Sequence, residues 1–165
     1  MKIKICGLKE LKNLGIENRI SEFTHCISIG DPISEIPIEL KNFSGKILRL
    51  QFADIDESLS LVEGLPKPED LPKYAPNPDI IHKILEFSNI LLIEKNPKIL
   101  IHCAMGVSRS TATGLIILYL IYKDENKALV ELLKLVNEPL PNTYMIGYPD
   151  EILGSKLYKI IPKII

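Results

Sequence analysis

The run His102-Cys103-Ala104-Met105-Gly106-Val107-Ser108-Arg109-Ser110 holds the chain's densest set of chemistry-bearing residues. It follows Ile99-Leu100-Ile101, a short continuous apolar run that reads as a strand buried on both faces. After it, from Ser110 to about Tyr122, apolar residues occur all round the helical wheel, as in a covered central helix. A loop that leaves a buried strand and enters a helix N-terminus turns several backbone N–H groups into one concavity, where the helix dipole adds positive potential. Such a nest suits a phosphate dianion. A cysteine at its start is favoured as the thiolate by the helix N-terminus and nearby cations, and the thiolate is the nucleophile. The chain carries 17 lysines but only three arginines, Arg19, Arg49 and Arg109, so a guanidinium at this point is a specific choice. Its planar fork binds two phosphate oxygens at once, which an ammonium cannot do. The chemistry implied is a thiolate nucleophile set beside an anion-binding nest.

The elements that must position this loop alternate between strand and helix. Ile3 and Ile5 alternate with Lys2 and Lys4 in a strand, and Leu8, Leu11 and Leu14 recur at helical spacing up to Gly15, the expected C-cap. Thr24 to Ile29 forms a second strand, stopped by Gly30-Asp31-Pro32. Leu48, Leu50 and Phe52 share one face of a third, which ends near Ala53-Asp54. Five of the twelve prolines lie between Glu57 and Pro78 and exclude regular structure through most of that stretch, which is expected to form a flap beside the pocket, the alternative being a mobile surface insertion with no catalytic part. Asn77 as N-cap and Pro78 at the first helical position open a helix with an apolar stripe of Ile80, Ile81, Ile84, Leu85 and Leu91. Ala128 to Val136 and Asp150 to about Ile160 supply two more, the last opened by Pro149. The alternation predicts an α/β protein.

A length of 165 residues fits one domain, 1–165, of the usual size of about 150, with the proline-rich insertion at about 57–78. With 46% hydrophobic and 25% charged residues the chain falls in the globular class. Its longest strongly apolar stretch, Leu115 to Tyr122, is far below the roughly 20 residues of a membrane span, and no signal sequence is recognisable, so a cytoplasmic protein without membrane partners is expected. Twenty basic against 21 acidic side chains provide no field for a polyanion, which disfavours nucleic acid as a partner. Three cysteines cannot all pair. Cys6 and Cys26 sit in apolar strand-like surroundings and read as small buried hydrophobes. His25 and His82 read as surface residues of a strand and a helix, without metal-ligand spacing to the cysteines. A monomer is expected.

The residues from His102 to Ser110 match the His-Cys-x5-Arg-Ser/Thr signature of the protein tyrosine phosphatase superfamily and most resemble its dual-specificity-like branch, in particular small bacterial and archaeal members. The strand ending Phe52-Ala53-Asp54 resembles the one leading into that family's general-acid loop, and Pro141-Asn142 resembles its later Pro-Asn element; the interval from Asp54 to Cys103 is longer than usual. The resemblance implies a single-domain, three-layer α/β/α fold with a central, mostly parallel sheet of four to five strands. It implies that Cys103 forms a cysteinyl-phosphate, that Arg109 and the amides of Ala104, Met105, Gly106, Val107, Ser108 and Arg109 hold the phosphate oxygens, and that Ser110 assists sulfur as it leaves. His102 orients the loop and supports the thiolate. A carboxylic acid protonates the leaving group and then activates water; Asp54 is the candidate, Asp56 its rival and Glu57 third. Asn142 reads as a structural loop residue, and Tyr74, Tyr144 and Tyr148 stay unassigned. No metal or cofactor is implied. The expected substrate is a phosphorylated protein or peptide carrying phosphotyrosine and perhaps phosphoserine or phosphothreonine. The alternatives are a catalytically weak phosphate-binding module and a phosphatase for a non-protein ester such as a phosphoinositide. The apolar Ala104, Met105 and Val107 count against the phosphoinositide, and a sulfurtransferase or arsenate reductase lacks support in the cysteine pattern.

Overall fold

Ile99, Leu100 and Ile101 are fully buried, as their unbroken apolar run requires. In the computed structural model, which describes residues 1–56 and 73–163, they form one of the two interior strands of a four-stranded sheet. The strands are β1 (Lys2–Cys6), β2 (His25–Gly30), β3 (Lys46–Gln51) and β4 (Lys98–His102), in the order β1-β4-β2-β3 with every pair parallel. Parallel neighbours need crossovers. Here α1 (Leu8–Ile16) lies between β1 and β2, and α2 (Pro78–Ile93) between β3 and β4; α3 (Arg109–Tyr122), α4 (Glu125–Leu135) and α5 (Thr143–Leu153) follow. Asn77 caps α2 as expected, its Oδ1 accepting from Ile80 N at 3.1 Å.

Alternation along the strands divides the core in two. Ile27, Ile29, Leu50, Ile99 and Ile101 face one side, covered by α2, α3, α4 and α5. Cys26, Leu100 and Cys6 face the other, covered by Leu11 and Leu14 of α1 with Ile20, Phe23 and Leu40 from short 3-10 turns. This is the three-layer α/β/α arrangement, with one thick helical layer and one thin. Cys6 and Cys26 are buried free thiols, and burial pushes each up to about 12. Among the described residues no helix is long and apolar enough to cross a membrane.

Three expectations need correction. Gly15 does not cap α1 but lies inside it: the helix runs on to Ile16, and Glu17 N bonds Asn13 O at 2.9 Å. Pro149 does not open the last helix: Asn142 caps α5 by accepting from Met145 N at 3.1 Å, and Pro149 sits in its interior. The helix stops at Gly154, in the left-handed region at φ +67°, and Asp150 accepts from Leu157 N and Tyr158 N to start a separate 3-10 segment. His25 is buried rather than superficial, between Thr24 Oγ1 at 2.8 Å and the Phe87 ring, whereas His82 is exposed as expected. Glu57 and most of the expected flap, residues 57–72, lie outside the described residues.

Candidate active site

The loop between β4 and α3 folds around one sulfur. Cys103 is buried, with Sγ 3.1 Å from Ser110 Oγ and accepting the Gly106 N–H at 3.2 Å. To bring that amide back onto sulfur the chain takes φ +82° at Gly106, a conformation that glycine enters freely. Gly7, at the junction of β1 and α1, is required for a different reason: a Cβ there would lie 2.6 Å from the Met105 carbonyl oxygen. The loop therefore rests directly on backbone, fixed by Leu8 N to Ala104 O at 2.9 Å and, on its far side, by Leu140 N to Val107 O at 2.8 Å. Ala104, Val107 and Ser108 are half-buried, while Met105 stands at the rim.

Arg109, the first residue of α3, is buried. Its Nη1 donates to Asp31 Oδ1 and to the Phe52 carbonyl, both at 2.8 Å. Nε, also buried, has no hydrogen-bond partner; the nearest anion is Asp54 Oδ2 at 3.6 Å. A guanidinium fixed along one edge with a buried donor unfilled is suited to receive an oxyanion. Asp54 itself is held on the loop: Oδ1 accepts from Ser108 Oγ at 2.6 Å and from Asn142 Nδ2 at 3.0 Å. The rival Asp56 is drawn away, its Oδ1 accepting from Thr143 Oγ1 on α5. Of the two aspartates, only Asp54 stands beside the loop. Asn142 thus joins the acid segment to α5, with a second bond to the Ile55 carbonyl at 2.9 Å. Tyr144 and Tyr148 are buried in the core, and Tyr74 is half-exposed, its carbonyl accepting from Ala53 N.

His102 faces the thin layer. Its Nε2 meets Ser28 Oγ at 2.7 Å, and Ser28 Oγ also accepts from Arg49 Nη1 at 2.8 Å. Burial pushes the imidazole down to about 4, against a smaller opposing contribution from the Cys103 backbone, so His102 is neutral at pH 7. Its hydrogen bond ties the end of β4 to β2. Asp31, Arg49, Ser28 and Gly7 escaped the sequence reading. Asp31 looked like one residue of a turn; the signal that would have marked it is its place just past the carboxyl end of a parallel strand, where α/β sheets gather their ligands.

No protein-family model matches the chain, and no curated protein sequence matches it significantly. Solved structures do. The chain is similar to Tk-PTP in its active form (TM-score 0.59, 16% identity, covering 96% of this chain and 92% of that one). It is similar to DUSP15 (TM-score 0.56, 16% identity, 98% and 89%). A third is PTPMT1 in complex with PI(5)P (TM-score 0.55, 14% identity, 99% and 92%). The molecule shares the fold of these solved phosphatase structures.

Proposed function

We propose that this protein is a cysteine-dependent phosphatase that hydrolyses phosphotyrosine in proteins or peptides through a cysteinyl-phosphate. The observation that carries the proposal is one loop that holds both a sulfur accepting an amide hydrogen bond and, six residues on, an arginine with a buried, unfilled Nε. In the first step Cys103 Sγ attacks phosphorus in line, the P–O bond to the leaving group breaks, and Asp54 gives its proton to the departing oxygen. Arg109 and the loop amides hold the three non-bridging oxygens, where charge builds as the phosphoryl group flattens. In the second step Asp54, now a carboxylate, takes a proton from water as its oxygen bonds phosphorus. The S–P bond breaks, inorganic phosphate leaves, and Ser110 Oγ hydrogen-bonds the thiolate that remains. Phosphoserine and phosphothreonine fit the same steps with a poorer leaving group.

One solved relative is a complex with PI(5)P, which brings a phosphoinositide substrate into consideration. Charge argues against it. The loop from Cys103 to Ser110 has Arg109 as its one cation, and the carboxylates of Asp31 and Asp54 stand next to that cation. A headgroup with several phosphates would meet no surplus of positive charge. The test is hydrolysis of para-nitrophenyl phosphate, a phosphotyrosine peptide and phosphoinositide vesicles in the presence of chelator, for the wild type and Cys103→Ser. Turnover of the first two substrates that Cys103→Ser abolishes is the expected result; phosphate-analogue binding without wild-type turnover would leave a binding module, and preference for vesicles would reassign the substrate.

A further inference from the structure

Arg49 is the one arginine that neither the surface nor the proposed chemistry accounts for. Arg19 is half-exposed and pairs with Glu17 and Glu22, and Arg109 belongs to the loop. Arg49 lies on β3, paired in register with Ser28 on β2, which is paired in turn with His102 on β4. These three side chains form a polar row across the carboxyl end of the thin face. From there the guanidinium reaches over Gly30, where any Cβ would collide with it. Its Nη2 donates to Ser34 O at 3.0 Å, Ser34 Oγ at 2.8 Å and Glu35 O at 3.0 Å. All the acceptors are neutral, and among the described residues no carboxylate lies within 4 Å of it. Burial pushes its guanidinium down, a cost that no counter-ion offsets. A cation held in this way serves for its geometry, as a fork with donors in two directions.

The segment it clamps is a tight turn. Ser34 N bonds Asp31 O at 3.0 Å and Ser34 Oγ bonds the same carbonyl at 2.7 Å, around Pro32 and Ile33. Ile33 sits at φ +59° with its side chain 93% exposed, a conformation that β-branched residues avoid and that no packing of its own side chain rewards. Gln51 Nε2 adds a bond to Ser34 O at 2.9 Å. The turn is thus held from β3, and its first residue, Asp31, is the one that holds Arg109 Nη1. A groove of about 360 Å³ lies over this assembly, lined by Asp31, Ser34, Arg49, His102 and Ala104 among others.

We infer that Arg49 is a positioning residue for the catalytic loop, acting at both of its ends. Through the 31–34 turn it sets the Asp31 carboxylate that fixes the edge of Arg109; through Ser28 it sets His102, the residue before Cys103. The inference rests on the phosphatase reading, since it assigns a role toward the same site. The substrate phosphate never touches Arg49. Loss of Arg49 leaves the groups of the reaction in place and misaligns them, so kcat falls more than KM rises.

The test is a double-variant cycle on para-nitrophenyl phosphate with Arg49→Lys, Asp31→Asn and the pair together, with thermal melts to report folding. Lysine keeps the charge but cannot reach both groups of acceptors. Each single variant is expected to lower kcat about tenfold with KM changed less than about threefold, and the pair to be no worse than the poorer single, because both break one chain of contacts. Inhibition by vanadate, which adopts the five-coordinate geometry of the transferred group, should weaken in parallel with kcat, and inhibition by inorganic phosphate much less. If Arg49→Lys fails to fold, Ser34→Ala removes one acceptor from the exposed turn and carries the same expectation in the same cycle with Asp31→Asn, at a smaller scale. A folded Arg49→Lys with kcat within about twofold of wild type, or losses that multiply in the pair, would overturn the inference. Wild-type turnover no higher than that of Cys103→Ser would overturn the phosphatase reading and this inference with it.

Discussion

The two faces of the sheet begin alike and end differently. On the thick side the strands stay apolar to their carboxyl ends: Ile27 and Ile29, Leu48, Leu50 and Phe52, Ile99 and Ile101, with Cys103 next in that alternation. On the thin side three strands change character toward their carboxyl ends, from Cys26 to Ser28, from Ile47 to Arg49 and from Leu100 to His102. The apolar side packs α3 firmly and so fixes where the helix N-terminus points. The polar side supplies directional bonds that set the loop's angle. Packing is non-directional and hydrogen bonds are not, so a site that needs both a rigid base and a particular orientation divides the two tasks between the faces.

The largest expected effect lies where both tasks meet. Arg109→Lys keeps the charge but loses the fork that binds Asp31 and phosphate together, and should lower kcat/KM by roughly 10³ in steady-state assays. Retained activity would mean that orientation is not what the thin side provides. Next is Ile101→Ala on the thick face, a fully buried side chain whose removal should cost about 2–5 kcal/mol in urea unfolding, while Ser28→Ala on the thin face should cost less and lower kcat more. Equal stability losses with equal kcat losses would erase the distinction. Asp54→Asn should lower kcat about 10²-fold on alkyl phosphates, with a smaller effect on good leaving groups and a flattened basic limb of the pH profile, and Asp56→Asn should do neither. The reverse pattern would move the acid to Asp56.

The smallest effect belongs to His102. Its folded-state value is depressed from 6.5 to about 4, so the unfolded chain takes up a proton that the native state refuses. Its contribution to stability is therefore intact above about pH 6.5 and declines as pH falls toward 4, by on the order of 2 kcal/mol near pH 5. The stability–pH curve of His102→Asn should lack that part of the slope. An unchanged curve would mean that His102 is solvated and charged rather than held neutral in the thin layer.

Much of this was legible in the sequence because the features involved are local. The strand-loop-helix around Cys103, the Asn77 cap of α2 and the identity of Arg109 all depend on neighbours within a few residues. Asp54 could be named ahead of Asp56 by its place after β3, but the partners that hold it on the loop, Ser108 and Asn142, are 54 and 88 positions away and carry no local signal. The start of α5 was misread because Pro149 offered a plausible opening, while the cap that prevailed, Asn142, was read as a loop residue. Asp31, Ser28 and Arg49 act only through partners on other strands. Short polar residues in a parallel strand carry no periodic signal that separates a buried network from an exposed edge.

The strand order has a further consequence, for how the molecule comes to exist. β1 and β2 are not paired with each other; β4 is inserted between them, and it ends at residue 102. A chain emerging from the ribosome can pair β2 with β3 early, but β1 must wait, unpaired, for a strand nearly 100 residues later. Until then β1 and the β4-facing edge of β2 are open, which makes the N-terminal half the stretch most exposed to mispairing during synthesis. When β4 docks it closes the sheet and carries Cys103 into position in the same event, so the nascent protein should have no reactive site before its central strand is in place.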